Sequence, residues 1–332
     1  FKGRVIEKGP AKNVLTHPKE NYTRGLLACR PPIDSRPVRL PTVNEIIANP
    51  DQVWAQTDSQ QRLKRIHSQQ SRSPVLEVVG LSKIYSSKTL LGKGHSETRA
   101  VDCVSFAVYP GETFGLVGES GCGKTTLSRM ILGLIKPTEG KIKFEGQSID
   151  QLSRKAMTAV RRKMQIIFQD PYSSLNPGIR IGAAILEPMQ AHKILSSKKE
   201  RQEKVIELLL KVGLQASDFD KYPHEFSGGQ RQRIVIARAL ALKPSFLVCD
   251  ESVSALDVSV QAQILNLLND LKDEFGLTLF FISHDLAVIK YMSDRVMVMN
   301  QGRVEELEEA DALFHSPKSK YTQKLINSIP GI

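Results

Sequence analysis

The sequence predicts an α/β fold in which short buried strands deliver functional groups to the loops at their ends. Three runs carry that prediction. Thr113-Phe114-Gly115-Leu116-Val117 is apolar and flows into a glycine-rich turn, after which Thr126–Leu134 has a helical pattern that stops before Pro137. Phe246-Leu247-Val248-Cys249 is a second apolar run and ends in Asp250-Glu251, while Leu279-Phe280-Phe281-Ile282 is a third and ends in Ser283-His284-Asp285. Apolar runs of this length suit strands, and an acid at a strand's C-terminal end is how α/β sheets build sites. Val75–Val79 and Val101–Val108 add strand-like alternation or β-branched content ahead of them.

At 332 residues the chain is long enough for two average domains, or one large domain with appendages. No apolar run approaches the roughly 20 residues a membrane-spanning helix needs. The formal net charge is +11, which invites a reading as attraction to nucleic acid or anionic lipid. Much of the excess lies in Gln61–Arg72 and Lys193–Lys204, and neither stretch interleaves aromatics with its cations as single-strand binders do. A solvated basic surface plus a basic linker is the preferred account. Cys29, Cys103, Cys122 and Cys249 are scattered without a C-x-x-C pair, which fits a reducing compartment and packing roles.

The glycine-rich turn is Gly118-Glu119-Ser120-Gly121-Cys122-Gly123-Lys124-Thr125, followed by Thr126. It fits G-x-x-x-x-G-K-[ST], the phosphate-binding loop of many unrelated nucleotide hydrolases. Strand, loop and helix in that order give the motif its required context. Gly118, Gly121 and Gly123 let backbone N–H groups approach phosphates, Lys124 adds a point charge, and the Thr125 hydroxyl suits Mg²⁺. About a hundred residues later, Phe226-Ser227-Gly228-Gly229-Gln230-Arg231 opens a helical run over Gln230–Leu242, with Ile234, Ile236, Ala237 and Leu240 for its inner face. A helix N-terminus offers free N–H groups and a positive dipole end to an anion.

The two ends of the chain repeat one another. Gly3-Arg4-Val5 with Glu7 matches Gly302-Arg303-Val304 with Glu306. Pro18-Lys19 recurs as Pro317-Lys318, Tyr22-Thr23 as Tyr321-Thr322, Leu26 as Leu325 and Pro31 as Pro330, always 299 positions apart. A fixed offset without gaps points to a duplicated unit. Residues 1–32 therefore read as the tail of a preceding domain whose body lies outside this chain, and 301–332 as the tail of the domain at 74–300. Between them, 33–73 reads as a linker. Arg30–Pro41 is rich in Pro and charge, and Asp51–Ser73 is polar with five Gln from Gln56 to Gln70. A helix over Val53–Ile66 is allowed there, with weak tertiary fixing expected.

Together these motifs resemble the ABC-type ATPases, over roughly Val75 to Ile329 and in that family's order. The resemblance implies a P-loop core with a mixed sheet, an antiparallel β subdomain and a helical subdomain inserted at about 170–226. It implies ATP and Mg²⁺ as ligands. Asp250 resembles the Walker B acid that reaches Mg²⁺, Glu251 the general base, and His284 the switch histidine at the γ-phosphate. Gln169, in Ile166-Ile167-Phe168-Gln169-Asp170, resembles the Q-loop glutamine that touches Mg²⁺ and water. Asp257, in Ser254-Ala255-Leu256-Asp257, falls in a stretch like the D-loop. Tyr85, in Leu81-Ser82-Lys83-Ile84-Tyr85, resembles the aromatic that stacks on adenine, although an aromatic closing an edge strand also suits plain packing. In the family, Ser227, Gly228, Gly229 and Gln230 act on the ATP of a paired domain.

Phe168-Gln169-Asp170-Pro171-Tyr172-Ser173-Ser174-Leu175-Asn176-Pro177, Tyr222-Pro223-His224-Glu225-Phe226 and the tail Pro317…Tyr321-Thr322…Leu325 look like the oligopeptide/dipeptide/nickel importer branch. The two-tail layout resembles fused two-ATPase subunits of glutathione and microcin C-type importers. There are departures: Ser252 stands where Pro is frequent and Gly178 where Arg is frequent. Some members carry a C-terminal iron–sulfur cluster; the second tail here has no Cys, so none is expected. The implied partners are a second ATPase domain, two membrane permeases and, indirectly, a solute-binding protein, at the cytoplasmic face of a bacterial cell membrane. The alternative is a soluble ATPase of the same family acting on nucleic acid or ribosomes. Such proteins usually carry a zinc module, coiled coil or basic arm, and this sequence shows none.

Overall fold

The computed structural model describes residues 1–88 and 95–329. Among the described residues, ten strands form two sheets: β1 (Leu76–Lys88), β2 (His95–Val108), β3 (Thr113–Val117), β4 (Glu139–Phe144), β5 (Gln147–Ser148), β6 (Met164–Ile167), β7 (Phe246–Asp250), β8 (Thr278–Ile282), β9 (Arg295–Asn300) and β10 (Arg303–Glu309). The central sheet has the order β10-β9-β3-β8-β7-β6 and is mixed. Strands β6, β7, β8, β3 and β9 run parallel, and β10 closes one edge antiparallel. The second sheet, β2-β1-β4-β5, is antiparallel throughout. The mixed core and antiparallel subdomain expected from the sequence are both present.

Burial explains why the strands that feed the site are apolar on both faces. Strands β3 and β8 are buried at every position, because helices cover one side and the second sheet the other. Phe106 of β2 stacks on Phe114 of β3 at 5.1 Å between ring centroids, and Phe114 on Phe280 of β8 at 5.7 Å. This aromatic layer seals the antiparallel sheet onto the core strands whose ends carry the site.

The helical subdomain comprises Pro171–Ser174, Ile181–Ala191 and Lys198–Lys211 plus two 3₁₀ turns. Asp170 caps the first through the N–H groups of Tyr172 and Ser173, and Ser197 caps the third in a reciprocal box with Glu200. Several element bounds differ from the sequence expectation. The helix after the glycine loop runs Lys124–Ile131 rather than Thr126–Leu134, and the later one Gly228–Leu240 rather than Gln230–Leu242. The boundary expected at 300 falls inside the β9–β10 hairpin, so Arg303–Glu309 belongs to the central sheet.

The largest correction concerns 33–73. Its helix spans Ser59–Gln70, capped by Asp58, and it is firmly held. Arg62 is buried, donating to Asp311 at 2.6 Å, to the carbonyls of Ser293 and Asp294 at 3.1 Å, and to Glu309. Arg36 donates to Asp311 and to the carbonyl of Ser293, Arg65 to buried Asp294. Leu40 and Asn266 exchange two hydrogen bonds, backbone to side-chain amide. Cations taken as a solvated linker face instead neutralise acids of the domain they strap.

The end-to-end repeat extends to three dimensions. Helices Ala11–Thr16 and Asn21–Ala28 correspond residue for residue to Ala310–His315 and Lys320–Asn327. Glu306 accepts the N–H groups of Lys318 and Ser319 at 2.9 and 3.0 Å. Glu7 accepts those of Lys19 and Glu20 at 2.9 and 3.4 Å. The first copy's helix packs on Val43–Ala48 and on the long helix Val258–Phe275. There, Gly25 lies so near Val43 that a Cβ would come within 3.1 Å of its Cα. Pro330 lies outside the described residues. No described helix is long and apolar enough to cross a membrane.

Candidate functional site

Strand β3 ends at Val117, and the chain turns through Gly118–Gly123 into the helix Lys124–Ile131. Close packing explains two of the glycines. A Cβ on Gly118 would lie 2.2 Å from the Met299 carbonyl, and one on Gly123, at φ 108°, would lie 2.3 Å from that of Ala100. The loop is thus pressed between β2 and the β9–β10 hairpin. Gly302 adds a hydrogen bond to the Cys122 carbonyl at 3.0 Å. The buried Lys124 ammonium donates to the carbonyls of Gly118 and Glu119 at 2.7 and 2.9 Å. Thr125 and Thr126 occupy the first helical turn, where backbone N–H groups lack intrahelical partners. Such a turn is an anion site.

Strands β7 and β8 lie side by side and deliver the acids and the histidine. Asp250 closes β7 half-buried. Burial pushes its carboxyl up, the neighbouring Glu251 adds to that, and Arg129 and Lys124 oppose it. Two adjacent carboxylates facing a lysine form an oxygen-donor site that a cation would relieve. Thr125, Asp250 and Gln169 each carry an oxygen of the hard type that Mg²⁺ prefers. Among the described residues no cluster of three or more His, Cys, Asp or Glu forms a dedicated metal cage.

Glu251 sits at φ 49°, an unfavourable left-handed conformation for a residue with a Cβ. Its N–H donates to the Ile282 carbonyl at 3.0 Å, and both the N–H and the hydroxyl of Ser254 donate to its carbonyl. The backbone is therefore fixed from two sides, and the carboxylate is aimed at His284, whose Nδ1 lies 3.3 Å from Oε2. The His284 side chain remains 60% exposed. Asp285, next in sequence, caps the following helix through the N–H groups of Ala287 and Val288. Gln169 Nε2 reaches the Ser254 hydroxyl at 3.4 Å, joining the Gln169 loop to the Glu251 turn. Ser254 is thus a positioning group that no spacing rule in the sequence singled out.

Ser227 caps the helix Gly228–Leu240. Its hydroxyl accepts the Gln230 N–H at 3.4 Å, and Gln230 Oε1 accepts the Ser227 N–H at 3.0 Å. The Ser227 O–H stays free to donate. Gly229 is a packing requirement, since a Cβ there would lie 2.3 Å from Val260 Cγ1. Val260 belongs to the helix that Asp257 caps, so the Ser227–Gln230 turn rests against the Asp257 turn. Among the described residues no hydrogen bond or ion pair links Ser227–Gln230 to Gly118–Thr126. Tyr85 lies on β1 opposite Thr98, 44% exposed, with the Lys83 ammonium 5.3 Å from its ring centroid. Strand β1 is internal as far as Ser82, which pairs with β4, and only its Tyr85 end is an edge.

A family described as ABC transporter matches residues 101–254. A second, described as the oligopeptide/dipeptide transporter C-terminal region, matches both 6–54 and 305–332. A putative oligopeptide transport ATP-binding protein, YkfD of Bacillus subtilis, is 51% identical over 259 residues, covering 78% of this chain and 77% of that protein. The glutathione import ATP-binding protein GsiA of Pectobacterium atrosepticum is 41% identical over 336 residues. It aligns with 99% of this chain, which spans 52% of that protein's length. Among solved structures, the post-hydrolysis dimer of the ATP-binding cassette MJ0796 with ADP and Pi superposes with a TM-score of 0.63 at 30% identity, over 71% of this chain and 98% of that one. With this phosphate loop, this acid pair and these relatives, the chain belongs to the ATP-binding proteins of ABC transporters and is an ABC-type ATPase.

Proposed function

We propose that the chain energises an importer for peptides or related small solutes through ATP-driven pairing of two ATPase domains. The single observation that carries this reading is the joining, in one chain, of an ABC transporter region to an oligopeptide-type C-terminal region. The names of the relatives, oligopeptide transport and glutathione import proteins, point the same way. The nucleic-acid or ribosome reading has no support among them.

In this reading the N–H groups of Gly118–Thr126 and the Lys124 ammonium hold the ATP phosphates, and Tyr85 stacks on adenine. Thr125, Gln169 and Asp250 hold Mg²⁺, which, when bound, offsets phosphate charge. Glu251 accepts a proton as the oxygen of a water attacks the γ-phosphorus, and the bond to the leaving ADP oxygen breaks. His284, oriented by Glu251, donates to the γ-phosphate and lines up the water. Ser227–Gln230, with the adjoining Asp257 turn, serve the ATP of the paired domain. A groove of about 520 Å³ between Phe168, Ser174, Pro188 and Arg238 adjoins the Gln169 loop. It is the docking place for one of two membrane permeases, which puts the protein peripherally at the cytoplasmic face of a bacterial cell membrane.

Residues 1–32 are, in this reading, the tail of a preceding ATPase domain and the natural pairing partner of this one. The duplicated helices, the duplicated glutamate clamp and the two-part family match support it. The test is reconstitution with membrane permeases and a solute-binding protein of an oligopeptide or glutathione importer, measuring ATP turnover. Peptide-loaded or glutathione-loaded binding protein should raise turnover several-fold. Intact basal turnover that no such solute stimulates would count against the importer reading.

A further inference from the structure

The C-terminal extension touches the nucleotide loop directly. The Glu119 N–H, at the shoulder of the loop, donates to the Tyr321 hydroxyl oxygen at 3.4 Å. Tyr321 is half-buried in the first turn of the helix Lys320–Asn327, with its ring against the main apolar core. Its position is set by a chain of contacts. Glu306, buried on β10, accepts the N–H groups of Lys318 and Ser319. Ser319 then caps the helix by accepting the Tyr321 N–H at 3.2 Å. The other supports of the loop on this side, Met299 and Gly302, come from the β9–β10 hairpin.

We propose that Tyr321 is a positioning residue for ATP binding, held in place by Glu306, and that the extension thereby tunes the phosphate loop. A phosphate loop works by presenting several N–H groups at once to the phosphates, so its affinity depends on how far that shape is fixed beforehand. The Tyr321 hydroxyl ties down the Glu119 amide, and the Glu119 carbonyl in turn accepts the Cys122 N–H at 3.3 Å, so the contact fixes the shoulder of the loop. The inference rests on the reading of Gly118–Thr126 as the ATP-phosphate site.

The internal repeat supplies a control. Glu7 makes the same clamp in the first copy, and that copy packs on Val43–Ala48 and Val258–Phe275; among the described residues it makes no hydrogen bond to this loop. Tyr321→Phe keeps the ring and deletes only the hydroxyl. It should raise the ATP Kd and KM about two- to tenfold, the range of one neutral hydrogen bond, with kcat at saturating ATP and Tm unchanged. Glu306→Gln should do the same and Glu7→Gln should not. Affinity within experimental error of the parent in Tyr321→Phe overturns the proposal, as does an equal shift in Glu7→Gln. Lys124→Ala separates the two failures. If Lys124→Ala binds ATP normally, the phosphate-loop reading itself is wrong; if it does not and Tyr321→Phe is silent, only the role of Tyr321 falls.

Discussion

Nδ1 of His284 lies 3.3 Å from Oε2 of Glu251, across two loops that leave the neighbouring parallel strands β7 and β8. Neither residue is anchored by the other alone. The Glu251 backbone is tied to Ile282 and Ser254, and the His284 loop is fixed by the cap that Asp285 provides to the next helix. On the proposed roles, one group takes the water's proton and the other addresses the phosphate. His284→Ala should therefore lower kcat about 100-fold while leaving the ATP KM within a few-fold. Steady-state turnover checks it, and an unchanged kcat would remove His284 from the chemistry.

Lys124 is buried, and its ammonium already lies among the loop carbonyls of Gly118 and Glu119. Little reorganisation separates that geometry from contact with a phosphate. Lys124→Ala should weaken ATP binding roughly 10- to 100-fold, as expected for loss of a charged hydrogen-bond donor. Titration with a fluorescent ATP analogue measures it.

The strap at 33–73 predicts a stability effect far from the site. Arg62→Met leaves Glu309 without its buried cation and Asp311 with Arg36 as its remaining close partner. The cost should be about 2–3 kcal/mol, below that of a fully buried pair because Asp311 keeps some contact with water. Denaturant unfolding checks the value. A variant as stable as the parent would mean that the strap carries no load.

Acid unfolding should depend on Asp294. Burial would push its carboxyl up, but Lys272, Arg65 and the Thr113 N–H hold it down to about 2. A carboxyl lowered in the folded state contributes stability that is complete above the unfolded value near pH 4 and fades as pH falls toward about 2. Asp294→Asn should flatten the acid limb of stability between roughly pH 4 and 2, read from Tm against pH.

Much of the core was legible because its signals are local. Thr113–Val117 is a strand of those very bounds, and the loop, the acids and the histidine each follow a strand in the sequence as they do in space. The repeat was equally plain, since an offset needs no partner to be seen. Arg36, Arg62 and Arg65 were misread for the opposite reason. Their acids, Asp294, Glu309 and Asp311, lie more than 200 positions away. A cation beside glutamines reads as solvated until the fold supplies its partner. Ser254 and Tyr321 fall inside stretches the sequence did mark, but their contacts to Gln169 and Glu119 were hidden, because each of those bonds joins segments that share no spacing.

Glu251→Gln tests the central claim most directly. It keeps the size of the side chain and removes its ability to take a proton from water. Measured with ATP and Mg²⁺, turnover should fall at least about 100-fold while ATP remains bound, and size-exclusion chromatography should show paired domains accumulating. Turnover equal to the parent, with no pairing, would contradict the assignment of Glu251 and with it the proposed ATP-hydrolysing site.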